Sequence, residues 1–323
     1  MRRRYLMTVL AGAAAYPLTV GAQQKATRVV GLLNGASPES YATFIAAFRS
    51  GLNDTGYTEG RNLAIEFRWA QDRPDRLPAL AADLVSRDVE VLVATGASVD
   101  AAKKATATIP IVFVAAGDPV ATGLVASFNH PGGNVTGVVT LLGELVPKRL
   151  QLLHELVHGT TIIAMLVKPT AAAELFAAAA QEAAVTMGLQ LPIIEAKAAR
   201  DFEPAFARVA ELGAGALVVG TDPLFIEHRE QLVAMAARYA VPASYPWREF
   251  VAAGGLISYG SSISGAYREL GLYAGRILNG DKVGDLPVVQ PTNLELVVNL
   301  KAATALGLTI PPSMLARADE VIE

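Results

Sequence analysis

Short runs of apolar residues alternate along the chain with segments in which apolar positions recur every three or four residues. In the first half the short runs predict strands at 28–33, 62–68, 89–95 and 109–114, and the periodic segments predict helices at 40–54, 77–87 and 99–107. The second half repeats this plan, with strands at 161–167, 189–194 and 216–219 and helices at 171–187, 202–212 and 224–239. Such alternation is typical of parallel sheets joined by helical crossovers. The pattern predicts an α/β fold with two doubly wound, parallel-sheet lobes.

An Asp-Pro turn follows an apolar strand in each half of the chain. Residues 112–119 read VFVAAGDP, and residues 217–223 read LVVGTDP. Proline keeps the residue before it in extended conformations, so each carboxylate is placed at the carboxyl end of its strand. Ligands of open α/β sheets bind at that edge. The recurrence predicts two similar lobes with facing edges, Asp118 on one and Asp222 on the other.

Three segments are suited to connect the lobes: the glycine-rich stretches 132–140 and 254–260, and the proline-bounded stretch 287–291. We therefore expect lobe one to contain residues 28–139 and about 260–288, and lobe two residues 140–259 and about 289–323, joined by a three-strand hinge.

The amino terminus and the composition restrict the location and the partners. Residues 1–22 combine Arg2-Arg3-Arg4, an apolar stretch and the small residues Val20-Gly21-Ala22, as a signal peptide does. The chain has no cysteine, which excludes disulfides, thiolate metal sites and a lipid-anchored cysteine. A net charge of −3 without a basic run argues against nucleic acid as a partner. We expect a soluble, monomeric, periplasmic protein that binds a small molecule and has no metal and no cofactor.

The sequence contains none of the G-x-S-x-G, Walker, G-x-G-x-x-G or H-E-x-x-H motifs of common enzyme families. The two Asp-Pro carboxylates leave three interpretations open. They could be a catalytic pair like that of glycoside hydrolases, or they could recognise an ammonium or hydroxyl group. Each could also be a simple turn whose side chain accepts backbone N–H groups. Their recurrence at equivalent positions favours a role in a cleft, and we expect no catalytic step.

Polar and aromatic residues at the other predicted strand ends complete a candidate ligand site. We expect the amide groups of residues 95–98, at a helix start, and Lys168 to hold a carboxylate. We expect Tyr245 and Tyr259 to pack on the body of the ligand, and we assign Trp69 and Phe113 to the core. The whole candidate set is Asn34, Ser37, Thr95, Gly96, Ala97, Ser98, Gly117, Asp118, Pro119, Thr140, Lys168, Thr170, Asp222, Pro223, Tyr245, Arg248, Glu249 and Tyr259.

Several longer motifs identify a family. They are GYTEGRN at 56–62, FRWA at 67–70, RLPALA at 76–81, IPIVF at 109–113, GDPV at 117–120, PGGNVTG at 131–137, REFVAAGGL at 248–256, SYG at 258–260 and LGLTIP at 306–311. Together they resemble the tryptophan/tyrosine-type substrate-binding proteins of ABC transporters, over essentially the whole chain.

This resemblance implies a type I periplasmic binding fold that closes on a ligand between its lobes. It also implies delivery to a membrane permease driven by a separate ATPase. Some relatives bind aromatic amino acids, but many have Asn-Pro-Thr where this chain has Lys168-Pro169-Thr170, and the lysine favours a more anionic ligand. The same fold could instead report ligand occupancy to a receptor as a periplasmic sensor, and a hydrolase using the paired aspartates is a third alternative.

Overall fold

The computed structural model describes residues 27–140, 143–290 and 294–323, so the expected signal peptide at 1–22 lies outside the described residues. The first sheet is parallel throughout, in the order β2-β1-β3-β4-β5. Its strands are β1 Arg28–Asn34, β2 Leu63–Trp69, β3 Val91–Thr95, β4 Ile111–Ala115 and β5 Val135–Val139. The buried strands β3 and β5 are apolar on both faces, as a sheet covered by helices on both sides requires.

The second sheet has the order β12-β11-β10-β9-β8-β6-β7. Its strands are β6 Ile163–Val167, β7 Ile193–Glu195, β8 Ala216–Val219, β9 Ala243–Tyr245, β10 Ile257–Ser261, β11 Leu294–Asn299 and β12 Glu320–Ile322. Strands β10 and β11 pair antiparallel, whereas the alternating pattern predicted parallel strands throughout. The antiparallel pair arises because the chain leaves the second sheet at the end of β10, packs a helix on the first sheet and returns through β11.

Twelve α-helices are found within the described ranges. They are α1 Ala42–Asp54, α2 Leu77–Ser86, α3 Ser98–Ala105, α4 Val146–Leu156, α5 Ala171–Thr186, α6 Phe202–Glu211, α7 Pro223–Glu227, α8 Arg229–Arg238, α9 Arg248–Ala252, α10 Ile263–Leu278, α11 Leu300–Ala305 and α12 Pro312–Leu315. The single helix expected at 224–239 is divided at His228, whose backbone leaves the helical region. In the portion of the chain that the structure describes, no helix is long and apolar enough to cross a bilayer.

Helix α10 is fixed to the first sheet by a close approach to α1. A Cβ atom added to Gly51 would lie 2.0 Å from the carbonyl oxygen of Arg268, and one added to Gly271 would lie 2.1 Å from that of Phe48. Only glycine permits two helix backbones to come so near. The packing ties residues 263–278 to β1–β5, although the sequence separates them by more than a hundred residues.

The parallel registers place the carboxyl ends of the strands at one edge of each sheet. Asn34 of β1 pairs with Trp69 of β2, and Thr95 of β3 pairs with Val114 of β4. One buried apolar cluster continues from this edge into the second sheet and its helices. The two carboxyl edges are therefore in contact, and the residues that follow the strands meet there.

Candidate functional site

Asn34 and Thr95, at the carboxyl edge of the first sheet, are both tied to Tyr267 of α10. The Asn34 side chain donates to the Tyr267 hydroxyl at 3.0 Å and accepts from the Ala36 amide at 2.8 Å. Thr95 also hydrogen-bonds the Tyr267 hydroxyl, and burial raises the pKa of that phenol. Asn34 and Thr95 thus organise the floor of the site, around a tyrosine that the sequence analysis did not single out.

Several aromatic rings pack together beside Tyr267. The Tyr41 ring centroid lies 5.2 Å from Phe44, 6.1 Å from Trp69 and 6.0 Å from Tyr267. Trp69, which we assigned to the core, is only half-buried and ends strand β2 beside Tyr41. Phe113 is fully buried in the core. The first sheet therefore presents two large aromatic side chains, Tyr41 and Trp69, at its carboxyl edge.

Tyr41 lies at the junction of the two sheets. Burial raises its pKa well above the usual value, and the neighbouring Tyr267, Asp222, Glu227 and Asp72 raise it further. Asp222 and Glu227 belong to the second sheet's side of the molecule, whereas Asp72 follows β2. Three carboxylates from both lobes thus surround one phenol.

Asp222 and Lys168, which we expected to contact a ligand, contact each other. The Lys168 ammonium lies 3.3 Å from the Asp222 carboxylate, and both side chains are mostly buried. Asp222 also accepts the Leu224 amide at 2.8 Å and so caps α7. Burial raises the pKa of Asp222 despite the opposing effect of Lys168. The charge of Lys168 is therefore compensated within the protein.

Asp118, in the equivalent turn of the first lobe, makes the same backbone contacts in a different environment. Its carboxylate accepts the amides of Val120 at 2.7 Å and Ala121 at 3.2 Å. Asp118 is exposed, whereas Pro119 beside it is buried and Gly117 is half-buried. The duplicated motif thus forms the same type of turn twice, but only Asp222 is buried beside a cation.

Some polar groups of the segment from Thr95 to Ser98 already have hydrogen-bond partners within the protein. The Thr95 amide donates to the Ser98 hydroxyl at 2.8 Å, and the Gly96 amide donates to Val114. The Ser98 hydroxyl itself donates to Leu33. Gly96 and Ala97 are exposed, and a Cβ atom at Gly96 would lie 3.7 Å from the Pro223 ring across the junction. Among the described residues the Ala97 amide has no backbone partner.

Asp72, Glu227 and His228 form an ionisable cluster between the lobes that the sequence analysis missed. The Glu227 carboxyl group lies near Ser37 and Asp72, and both influence its pKa. The His228 Nε2 atom lies 3.7 Å from the Asp72 carboxylate. Burial and the nearby Asp72 raise the pKa of Glu227, while Ser37 and His228 oppose the change. Asp72 could have been found from sequence, because it follows the end of a predicted strand as Ser37 does.

Thr221 Oγ1, Glu227 Oε2 and Trp247 Nε1 are among the buried polar atoms that have no hydrogen-bond partner within the described residues. Thr221 follows β8 and Trp247 follows β9, so both come from carboxyl ends of neighbouring strands. Buried tryptophan N–H groups usually have an acceptor. These atoms are available to hydrogen-bond a bound molecule. In the described ranges no group of three or more histidine and carboxylate side chains is arranged to hold a metal.

Tyr245 and Tyr259 lie apart from the candidates described above. Tyr245 is 1 % exposed and stacks on Phe250 at 4.8 Å. Tyr259 pairs with Leu296 of β11 and packs with the core on the α4 side of the second sheet. Side chains alternate between the faces of a strand, and both of these point into covering helices. We therefore leave both tyrosines out of the site proposed below.

Arg248 and Glu249 are the first two residues of α9. Arg248 pairs with Glu320 and lies 3.6 Å from Glu295, at the β11–β12 side of the sheet. Glu249 is mostly buried, and burial raises its pKa. The acids that Arg248 contacts therefore come from β11 and β12.

Thr140 and Thr170 have structural roles. The Thr140 carbonyl accepts the Ser261 hydroxyl at 2.9 Å, which joins two of the strands that connect the lobes. The Thr170 hydroxyl accepts the Ala173 amide at 3.2 Å and caps α5.

Two parallel-sheet lobes whose carboxyl edges meet around aromatic and ionisable side chains define a two-lobed binding protein of the periplasmic type I class. The sequence model of the family "ABC transporter substrate binding protein" matches residues 30–322. The chain belongs to this family. The expected family and fold class are both confirmed.

Similar proteins agree with this assignment. A tyrosine-binding protein of Clostridioides difficile (strain R20291) is 27 % identical over 279 residues, covering 81 % of this chain and 75 % of that protein. A conserved domain protein of Vibrio cholerae O1 biovar eltor str. N16961 has a solved structure with a TM-score of 0.83 and 28 % identity, covering 91 % of this chain and 99 % of that one. The structure of an ABC domain from Streptococcus pneumonia, solved with L-Trp, has a TM-score of 0.82 and 22 % identity. The match covers 92 % of this chain and 100 % of that one.

The protein is thus a substrate-binding protein of an ABC transporter. The family binds its substrates without catalysing a reaction, which confirms the expectation that this chain is not an enzyme.

Proposed function

We propose that this protein binds an aromatic amino acid in the cleft between its lobes and delivers it from the periplasm to a membrane permease. In this proposal the lobes are residues 28–139 with about 260–288 and residues 140–259 with about 289–323, and they close about the three connecting segments. The observation that carries the proposal is the position of Tyr41, whose ring lies beside Trp69 and whose hydroxyl lies near carboxylates of the opposite lobe.

The charges around Tyr41 favour a zwitterion over a simple anion. Lys168 alone would attract an anionic ligand, but Asp222 at 3.3 Å compensates its charge. The three carboxylates around Tyr41, those of Asp222, Glu227 and Asp72, outnumber this one cation and complement an ammonium group. The exposed amide of Ala97 and the buried Nε1 atom of Trp247 are donors suited to a carboxylate.

The relatives support the aromatic part of the ligand. The C. difficile relative is a tyrosine-binding protein, and the S. pneumonia structure holds L-Trp. An aromatic ring gains both buried area and ring contacts when it packs against other aromatic side chains. With a few charge-assisted hydrogen bonds, such a site can reach a micromolar Kd, which corresponds to a free energy of binding of about −8 kcal/mol.

The test is a thermal-shift screen of residues 23–323, followed by calorimetry. The panel contains L-tyrosine, L-tryptophan and L-phenylalanine, their deaminated acids and decarboxylated amines, and nucleosides and sugars. We expect the complete amino acids to raise the melting temperature saturably, since a ligand at a hundred times its Kd stabilises by about 2.7 kcal/mol. Equal responses to the amino acids and the deaminated acids would refute the zwitterion proposal. If sugars or nucleosides stabilise and amino acids do not, the ligand class is wrong.

A further inference from the structure

The break between α7 and α8 brings one arginine of the second lobe against the first lobe. His228, the residue at the break, leaves the helical backbone region, and Arg229 begins α8. The Arg229 Nη1 atom donates to the carbonyl oxygen of Ile226 at 3.0 Å and to that of Ser40 at 3.5 Å. Ile226 belongs to α7, whereas Ser40 lies between β1 and α1. One guanidinium group therefore bridges backbone carbonyls of both lobes.

Arg229 acts mainly through these carbonyl groups rather than through an ion pair. Its closest carboxylate among the described residues, that of Glu230, lies 3.9 Å away on a side chain that is 83 % exposed. The Arg229 side chain itself is only 24 % exposed. Hydrogen bonds from a charged donor are stronger than those between neutral groups, and they strengthen further away from water. The hydrogen bond to Ser40 is therefore the polar link that Arg229 makes to the first lobe.

The Ser40 carbonyl directly precedes Tyr41, the residue on which the proposed function depends. Tyr41 is the N-cap residue of α1, and its side chain makes no capping hydrogen bond. Its own carbonyl accepts the Ile45 amide at 2.9 Å, at the start of the helix. The peptide group between Ser40 and Tyr41 is planar, so a hydrogen bond to its oxygen restrains the whole unit. Arg229 therefore restrains the backbone that directs the Tyr41 ring into the cleft.

The loops that follow β1 and β2 are hydrogen-bonded to each other, so a contact with either restrains both. The Gln71 amide donates to the Ala36 carbonyl at 3.2 Å, and the Asp72 amide donates to the Gly35 carbonyl at 2.9 Å. Gln71 and Asp72 have left-handed backbone conformations, with φ of 53° and 56°, which cost free energy in residues other than glycine. His228 contacts this pair of loops as well, because its Nε2 atom lies 3.7 Å from the Asp72 carboxylate. Two consecutive residues at the helix break thus contact two loops of the first lobe.

We propose that Arg229 is a positioning residue for ligand binding, which holds the loop before Tyr41 against the second lobe when the lobes are together. The contact is lost when the lobes separate, so it stabilises the closed state alone. Ligand affinity depends on the population of the closed state, and Arg229 thereby raises affinity without touching the ligand. This role rests on the proposed function for its ligand, whereas the contact between the lobes requires none.

The experiment compares the wild type with Arg229→Met, Arg229→Lys and the control Arg238→Met. Methionine keeps a long, unbranched side chain and a high helix propensity but cannot donate a hydrogen bond. Lysine keeps the charge and can still donate to a carbonyl, without the planar fork of the guanidinium group. Arg238 ends the same helix, is 59 % exposed and pairs with Glu203 of the same lobe. Arg238→Met thus makes the same chemical change away from the first lobe.

Hydrogen–deuterium exchange, with and without L-tyrosine, measures the contact between the lobes. We expect Arg229→Met to speed the exchange of residues 35–45 and 70–73 by about 3- to 10-fold, the factor that one hydrogen bond supplies. Arg229→Lys should give an intermediate rate, and Arg238→Met should match the wild type. Exchange in β6 and β8 of the second sheet should be the same in all four proteins, because only a general loss of stability would speed it there.

Calorimetry and stopped-flow fluorescence measure the effect on binding. We expect Arg229→Met to weaken the binding of L-tyrosine by about 3- to 10-fold, through faster dissociation. L-Tyrosinamide, in which a neutral amide replaces the carboxylate, should lose affinity by the same factor. A loss confined to L-tyrosine would overturn the positioning role, because Arg229 would then bind the ligand carboxylate itself.

Unchanged exchange of residues 35–45 and 70–73 in Arg229→Met, both with and without L-tyrosine, would also overturn the proposal. So would an L-tyrosine affinity equal to that of the wild type, or equal losses in Arg229→Met and Arg238→Met. If L-tyrosine does not bind to the wild type but the two loops still exchange faster in Arg229→Met alone, the contact between the lobes stands and the proposed ligand is wrong.

Discussion

The duplicated Asp-Pro turn offers a matched pair of substitutions, Asp222→Asn and Asp118→Asn. Asparagine keeps the side-chain oxygen that accepts the backbone amides and is as good a helix cap as aspartate, so both turns should keep their conformation. Each variant removes one negative charge and little else. The variants differ in their surroundings, because Asp222 is buried beside Lys168 and Asp118 is exposed.

The structure sets the expected magnitudes. A hydrogen bond to a charged group contributes about 1.5–3 kcal/mol, which corresponds to about a 10- to 150-fold change in Kd. We therefore expect Asp222→Asn to weaken L-tyrosine binding by that factor, and Asp118→Asn to change it less than about twofold. Loss of its partner leaves the mostly buried Lys168 unpaired. This should lower the free energy of unfolding by about 1–2 kcal/mol, between the values for exposed and fully buried pairs.

Isothermal titration calorimetry with L-tyrosine and with its deaminated acid, 3-(4-hydroxyphenyl)propionate, tests the reasoning. If Asp222 contributes to ammonium recognition, its substitution should reduce only the affinity for the amino acid. Equal losses for both compounds would mean that the substitution acts through the fold. An unchanged affinity for L-tyrosine would remove Asp222 from the site, and a comparable loss in Asp118→Asn would refute the distinction between the two turns.

Three further predictions concern the cleft and the packing around it. Trp247→Phe removes one buried N–H donor, so it should weaken the binding of aromatic amino acids by about 5- to 10-fold in calorimetry, with little change in melting temperature. An unchanged affinity would exclude a hydrogen bond from Trp247 Nε1 to the ligand. Gly271→Ala should lower the free energy of unfolding by about 1–3 kcal/mol in urea titrations, because the added Cβ would lie 2.1 Å from the Phe48 carbonyl oxygen. The control Gly265→Ala, in the same helix, should change the free energy of unfolding by less than about 1 kcal/mol. Arg248→Ala should leave ligand affinity unchanged and lower the free energy of unfolding by less than about 1 kcal/mol, because the ion pairs of Arg248 are exposed. A tenfold loss of affinity would return Arg248 to the site.

The features that the sequence predicted well are those fixed by local chemistry. Alternating strands and helices follow from periodicity, and the Asp-Pro turns follow from proline sterics together with the capping preference of aspartate. The break at His228 and the antiparallel pairing of β11 were not predictable in this way. The first depends on a single backbone position, and the second depends on where α10 packs.

Side-chain direction is what the sequence pattern could not predict for the candidate site residues. Tyr245 ends a strand as Thr95 does, yet a shift of one residue sends a side chain to the opposite face of a sheet. Its burial against Phe250 depends on α9, a helix that the periodic pattern did not predict. Conversely, Tyr41 and Glu227 lie in helical segments that look ordinary in sequence. They reach the cleft only because the two lobes come together.

The two Asp-Pro turns differ in their surroundings, and we propose that this difference decides which of them takes part in ligand recognition. Both aspartates accept backbone amides from the residues that follow, so the turn itself gives each carboxylate the same local role. What differs is the neighbouring strand end. The second lobe brings Lys168 to within 3.3 Å of Asp222 and encloses both side chains, whereas water surrounds Asp118. Charge in low-dielectric surroundings acts far more strongly than charge in water, so one of two equivalent motifs can discriminate between ligands while the other maintains its loop.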